Sequence, residues 1–336
     1  MSPRGVVDGA NGDHILTTAQ PISKERPIQR VPPHAFLVLA ALLWAGNFVV
    51  GGPLAEVLPP FGLNLVRWCV ACCLLVPLTL WREGTGFLRP ALGVWPGLLA
   101  MAVTGVFFFN SLVYLALTQT TSINAALING ATPILALFVV AGLGGGRPTG
   151  QRLAGSLVGL LGVAWVVSRG SVETLVNLSP NRGDLLMLGA ALCWATYTVV
   201  GGRVARTLSP LAATTASAVL ALPLLIVAGG YELSARPVGD VTPAVISGVL
   251  YIGLAASVVA FLAWNTGIGR LGAARGTIFV NLVPVFTAVI AVPVLGERLG
   301  LAQILGGLMV LAGVTLVSRP GRKGSQVAPP GGTPPE

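Results

Sequence analysis

The chain is written twice, and that duplication limits its fold more than any single residue does. Trp44-x4-Val49-Val50-Gly51-Gly52 returns as Trp194-x4-Val199-Val200-Gly201-Gly202, Pro60 as Pro210, and Ser168-Arg169 as Ser318-Arg319, all at a spacing of 150 residues. Pro133 maps onto Pro284 at 151, a slip of one residue. Each half holds five apolar stretches. If each stretch crosses a bilayer, an odd number of crossings turns the second copy upside down relative to the first.

The apolar stretches are membrane spans by composition and by length. Hydrophobic residues make up 54% of the chain and charged residues 9%, with a mean hydropathy of +0.83. One soluble core has no room for that much apolar surface. Residues 90–146 contain no Asp, Glu, Lys or Arg, a length that fits two crossings of about 20 residues and a tight turn. The pattern predicts an all-α polytopic membrane protein with ten transmembrane helices in two inverted repeats of five. The helices are expected near 34–55, 59–81, 95–117, 121–143, 150–168, 185–203, 209–229, 243–268, 274–295 and 300–318. Repeat one is expected over 34–169 and repeat two over 184–319, with disordered tails at 1–33 and 320–336. Prolines inside apolar runs (Pro77, Pro133, Pro223, Pro284, Pro293) suit membrane helices, where neighbours or lined water satisfy the freed carbonyls.

A formal charge of +9 raises the possibility of a nucleic-acid partner, but the placement of the basic residues argues against one. Fifteen of the 20 Lys and Arg fall in the two tails and the even-numbered loops, four in the odd-numbered loops and one, Arg67, inside a helix. This is a positive-inside pattern that places both termini in the cytoplasm of a multi-pass protein of the cell (inner) membrane. It leaves no basic patch with interleaved aromatics for nucleic acid. Residues 1–30 lack the apolar core of a cleaved signal peptide. Cys69, Cys72, Cys73 and Cys193 all fall in predicted helices, so no disulfide framework is expected. With no His beside them, they read as small buried hydrophobes rather than metal ligands.

Enzyme chemistry finds little to use. His14 and His34 precede or just enter the first helix, and neither a GxxxxGK[ST] loop nor an HExxH motif occurs. No catalytic residue, metal or cofactor is expected. Glu56, Asp184, Glu232, Asp240 and Glu297 sit at helix ends or in loops. The buried carboxylate that proton-coupled exporters of cations commonly use is therefore not expected at mid-bilayer.

What remains are polar and aromatic side chains within the spans. Arg67 is the one charge well inside a helix, where insertion costs roughly 2.5–3.5 kcal/mol. It reads either as a contact for an anionic group or as a pin that snorkels or pairs with Glu56. Its repeat counterpart is Ser217. Trp44 and Trp194 hold matched positions, each with a polar residue three places on, Asn47 and Tyr197, on the same helix face. They read as lining of a central cavity or as belt and packing residues. Asn110, Tyr114, Asn129, Trp264, Asn265 and Asn281 complete the set of substrate-binding candidates, with interhelical hydrogen bonding as the competing role. Tyr114 and Asn265 are repeat equivalents at 151. Pro133 and Pro284 break matched helices and read as hinges or static kinks. Gly155-x3-Gly159 and Gly306-Gly307-x5-Gly313 read as close-packing faces, within the chain or at a homodimer contact.

The first-helix run Leu43-Trp44-Ala45-Gly46-Asn47, then Arg67, Thr132-Pro133 and the late Leu295-Gly296-Glu297-Arg298-Leu299 followed by Gly306 and Gly313, resembles the EamA type of the drug/metabolite transporter superfamily. The resemblance covers residues 34–319. In the first half the position matching Glu297 is Gly146, so the glutamate reads as a boundary-structural residue that one repeat does without. The resemblance implies a secondary transporter that exports small metabolites, amino acids or their analogues, by alternating access. A multidrug or lipid-linked substrate exporter and a non-transporting membrane scaffold are the alternatives.

Overall fold

The structure is a computed structural model and describes residues 31–144, 149–173 and 181–318. The expected tails at 1–33 and 320–336 fall almost wholly outside the described residues, as do Gly146 and Arg319. Among the described residues the secondary structure is helical, without a strand. In chain order the elements are α1 (Pro33–Val57), α2 (Pro60–Glu83), the short α3 (Leu88–Gly93), α4 (Trp95–Leu117), α5 (Ser122–Gly142), α6 (Gly150–Val167), α7 (Arg182–Val204), α8 (Pro210–Ala235), α9 (Pro243–Leu271), α10 (Leu282–Leu295) and α11 (Leu301–Ser318). Seven of these (α1, α2, α4, α5, α7, α8 and α9) are long and apolar enough to cross a membrane. Leu153–Val166, Phe279–Leu295 and Leu301–Leu316 are shorter apolar helices. Large apolar side chains are exposed along these helices, with Trp81 and Trp95 exposed near helix ends. That is the surface of a chain solvated by lipid with an interfacial aromatic belt.

Helix starts follow local chemistry. Pro60, Pro210 and Pro243 occupy the first turn of α2, α8 and α9, where the missing N–H is an orphan anyway. The Ser209 and Thr242 hydroxyls accept from the N–H groups of Ala212 and Val245, and Thr121 caps α5 by accepting from Asn124 N. Other features depart from the sequence pattern. The short α3 lies between α2 and α4. Helix α4 carries a π segment over Ala102–Phe108 and α9 one over Tyr251–Val259, in matching places of the two repeats. Helix α5 breaks between Asn129 and Thr132, and α10 is preceded by a 3-10 turn, Thr277–Asn281. Pro133 and Pro284 sit in the first turn of the segment after each break. They restart helices and do not bend continuous ones.

Repeat one is α1, α2, α4, α5 and α6; repeat two is α7 to α11. The packing exchanges reciprocally between them. Helix α1 lies against α9 and α10, and α7 lies against α4 and α5; α2 meets the π segment of α9, and α8 meets that of α4. The self-equivalent pairs α2/α8 and α6/α11 run antiparallel. At one end of the first pair the backbone N–H groups of Phe61 and Gly62 donate to Glu232 Oε2 at 2.7 and 3.2 Å. At the other end Ser209 Oγ donates to Glu83 Oε1 at 2.6 Å. In the second pair Gln151, near the start of α6, donates to the carbonyl of Leu316 near the end of α11. Corresponding helices that meet head to tail are the geometry of inverted repeats.

The glycine runs of α6 and α11 face each other within the chain. A Cβ at Gly162 would stand 2.7 Å from Gly306 O, and one at Gly313 2.5 Å from Gly155 O and Gly159 N. Backbone meets backbone there, so no side chain can yield. Gly313→Val is expected to cost about 1–3 kcal/mol by overpacking and to lower the thermal melting point of the purified protein. Gly142→Val, with open space around the site, is expected to leave it unchanged.

Candidate functional site

Arg67 lies two turns into α2 and is 0% exposed, which removes the snorkelling role. Its guanidinium is satisfied by neutral groups only. Nη1 donates to Asn47 Oδ1 at 3.2 Å and to the Tyr114 hydroxyl at 2.7 Å. Nη2 donates to Ala256 O at 3.3 Å, and Nε donates to Ser257 Oγ. Tyr114 in turn donates to Asn47 Oδ1 at 2.9 Å, and Ser257 to Ile252 O at 2.7 Å. The partners come from α1, α4 and α9, so both repeats hold the cation. Glu56 is not among them. Arg236 pairs with Glu232 at 3.7 Å.

The second repeat builds the same arrangement without the charge. Asn265 Nδ2 donates to the Tyr197 hydroxyl and to Thr214 Oγ1, both at 2.8 Å. Asn47 and Tyr197 are repeat equivalents, as are Tyr114 and Asn265, so each cluster pairs one amide with one phenol and the residue types are exchanged. Where the first has Arg67, the second has Ser217, whose hydroxyl donates back to Thr214 O.

Between the clusters the aromatic rings meet. Trp44 and Trp194 touch edge to face at 4.9 Å between centroids, Trp194 stacks on Tyr197 at 4.7 Å, and Trp264 lies 5.2 Å from Trp44. Phe261 joins Trp44, Trp68, Trp194 and Tyr197. All of these rings are buried. Their burial leaves no belt position for Trp44 and Trp194, the alternative to cavity lining and helix packing. In this conformation they close on one another across the repeat boundary. Two cavities lie elsewhere. One of about 530 Å³ is lined by Leu117, Thr118, Gln119, Thr120, Thr121, Asn124, Arg169 and Gln303. The other is an apolar groove of about 190 Å³ against α5, α10 and α11.

The π segments serve this centre. Widening the helix frees carbonyls, and side chains from other helices take them. Ala256 O accepts from both Trp44 Nε1 and Arg67 Nη2; Val106 O accepts from Asn64 and Asn110. Gly105 is required by the same packing, since a Cβ there would stand 2.0 Å from the Tyr197 ring. The remaining candidates lie outside the Arg67 cluster. Asn110 donates to carbonyls of its own helix, Gly105 O and Val106 O. Asn129 O accepts the Thr132 hydroxyl at the α5 break. Asn281 ends the 3-10 turn, with its Oδ1 buried and unpartnered. Asn64, Trp68, Ser257 and Phe261 were missed. Ser257 had a signal, standing eight residues before Asn265 on what would be the same face of a regular helix.

Two carboxylates complete the frame. Besides Glu232 of α8, which caps the start of α2, Glu297 accepts from Ser122 N at 2.8 Å and Ile123 N at 3.0 Å, capping α5 from the loop before α11. The helix-dipole end favours the anion there, and this is the boundary-structural role expected of Glu297.

The model of the EamA-like transporter family matches residues 32–168 and again 181–319. The chain belongs to that family. An uncharacterized transporter of Archaeoglobus fulgidus is 31% identical over 291 residues, 85% of this chain and 96% of its own. The uncharacterized transporter YyaM of Bacillus subtilis is 31% identical over 220 residues, 66% and 72% of the two chains. A protein of Streptantibioticus cattleyicolor named "Probable terminal-alkyne amino-acid exporter" is 26% identical over 287 residues, 84% and 92%. A solved crystal structure at 23% identity superposes with a TM-score of 0.59 over 85% of this chain and 96% of its own, which supports the fold. In this EamA-like protein, Glu297→Ala is expected to cost about 1–2 kcal/mol of stability. The check is thermal unfolding of the purified variant, with Glu297→Gln recovering part of the loss.

Proposed function

We propose that this polytopic EamA-like protein is a secondary carrier that exports a small metabolite bearing a carboxylate, an amino acid or an analogue, across the cell membrane by alternating access. The observation that carries the reading is Arg67, a fully buried cation whose partners are two hydroxyls, an amide oxygen and a carbonyl. A buried charge without a counter-charge is expensive. The cost has a purpose if the missing anion arrives with the substrate, because a guanidinium matches a carboxylate bidentately. Two further donors await an acceptor nearby: the indole N–H groups of Trp68 and Trp264 are buried and unpartnered.

In this reading Trp44, Asn47, Arg67, Tyr114, Trp194, Tyr197, Trp264 and Asn265 form the binding centre, and the aromatic contact between Trp44 and Trp194 is the closed state of a gate. The breaks before Pro133 and Pro284 are the hinges. The three shorter helices also cross, which makes ten spans. Helices α6 and α11, at 18 residues each, are about 27 Å long at 1.5 Å per residue, close to the roughly 30 Å of hydrocarbon. With ten spans and the positive-inside pattern, both termini are cytoplasmic. The amino-acid exporter among the relatives supports the substrate class.

The test is counterflow in proteoliposomes with a panel of labelled amino acids. Arg67→Ala is expected to lower flux at least 100-fold, equivalent to about 2.7 kcal/mol, with folded yield retained. Arg67→Lys keeps the charge but loses the fork, and is expected to recover only part of it. Methyl esters of the transported amino acid should not exchange in the unaltered protein. Full flux in Arg67→Ala, or exchange of the esters at the acid's rate, would refute the assignment.

A further inference from the structure

Arg169 ends α6 in the left-handed region, at φ 54°. The N–H groups of Arg169 and Gly170 return there to Val166 O and Trp165 O, both at 3.0 Å, a helix ending whose usual occupant is glycine. A long side chain is thus held where the backbone disfavours one, and such positions persist where the side chain serves a site. Arg169 is exposed and is the single charged residue among those lining the cavity of about 530 Å³. Donors stand around it. Asn124 on the same wall is 4% exposed. Its Oδ1 accepts from Gln303 Nε2 at 3.2 Å, which leaves its Nδ2 protons without a protein acceptor among the described residues. Thr121 Oγ1 accepts from Asn124 N and keeps its own proton to give. The carboxylates of this end stand off the wall: Asp184 is 0% exposed and takes the Thr120 hydroxyl at 2.5 Å, and Glu297 caps α5.

We infer that this cavity is a second binding site for the carboxylate of the transported molecule, with Arg169 as its cation and Asn124 as a neutral donor; the ligand's identity rests on the carrier reading above. A guanidinium takes a carboxylate bidentately, and a cationic ligand would meet Arg169 with no carboxylate on the wall to offset it. The volume falls within the roughly 300–1,000 Å³ of small-molecule sites. The place fits as well. Leu117 and Thr118 of the cavity follow Tyr114 of the Arg67 cluster by three and four residues on α4, one helical turn or about 5–6 Å. With both termini cytoplasmic, α4 ends outside, so the cavity is the exit vestibule in which an exported carboxylate passes from Arg67 to Arg169. A lipid phosphate would satisfy the same donors, and the test separates the two.

The test is phenylglyoxal modification of the full-length protein in phosphatidylcholine nanodiscs, read by mass spectrometry. A pool of amino acids is expected to slow modification of Arg169 roughly fivefold or more by occupancy, while the exposed Arg206 reacts at its unprotected rate. The pool of their methyl esters should leave both unchanged. Protection of Arg169 should persist in Arg67→Ala, whose flux tests the binding centre separately. Arg169→Gly suits the left-handed backbone, so folding is not at stake; it is expected to raise the half-saturating concentration in counterflow about tenfold with the maximal rate retained. Protection in a protein without counterflow would keep this site and remove the carrier reading. No protection by the acids, equal protection by the esters, loss of protection in Arg67→Ala, or unchanged half-saturation in Arg169→Gly would each overturn the proposal. Protection by phosphatidylglycerol nanodiscs alone, with none added by amino acids, would make the occupant a lipid headgroup and overturn it too.

Discussion

A single guanidinium in the middle of the molecule organises what surrounds it. Arg67 has no carboxylate to neutralise it, so its five N–H donors must be met by neutral acceptors arriving from several directions at once. Asn47 from α1, Tyr114 from α4 and Ser257 with Ala256 O from α9 converge on it. The carbonyl of Ala256 is available because α9 is wound there as a π segment. Removing any one of these groups leaves part of a cation unsatisfied in a medium that does not forgive it. Holding the charge therefore depends on the wide turn and on the α1–α4–α9 packing together.

The two repeats share a geometry and divide its chemistry. Each centre pairs an amide with a phenol, yet only one carries a positive charge; the matching site holds Ser217 with Thr214 and Asn265. A strict twofold would face two cations across the centre and would repel itself. Confining the charge to one repeat makes the centre unequal: one side carries the guanidinium, the other only neutral groups. The aromatic rings of Trp44, Trp194, Trp264 and Phe261 fill the space between the two sides.

Much of this was legible in the sequence because duplication and hydropathy act over long windows. The repeat spacing, the apolar stretches and the isolated Arg67 survive small errors of register, and the matched pair Tyr114 and Asn265 identified both polar centres. The misses share a cause. A π segment is a local change of winding with no compositional signature, so nothing in Ala102–Phe108 or Tyr251–Val259 announces it, and the faces computed for a regular helix drift past it. That is why Asn110 looked like a cavity residue when it serves its own helix, and why the carbonyls of α4 that Asn64 binds had no signature. Contacts made by a carboxylate near one helix's end to another helix's backbone, as Glu232 makes to Phe61 and Gly62, depend on tertiary placement alone. The rings of Trp44 and Trp194 were found, but whether they line a space or fill it depends on conformation, which residue identity does not encode.

The two carboxylate clamps, Glu232 on the start of α2 and Glu297 on the start of α5, lie on the same face of the molecule, since the chain crosses once with α2 and returns with α4 between those two starts. Each joins a residue of the second repeat to backbone of the first through two hydrogen bonds to a carboxylate, roughly twice as strong as neutral ones. On the opposite face one carboxylate bond, from Ser209 to Glu83, joins the repeats, beside bonds to backbone carbonyls from Gln151 to Leu316 and from Arg203 to Leu143. The two ends of the molecule therefore have unequal locks. Separating the repeats at the clamped end breaks these four bonds to carboxylates, and at the other end one. The asymmetry between the two ends is written into the helix caps rather than into the residues at the centre.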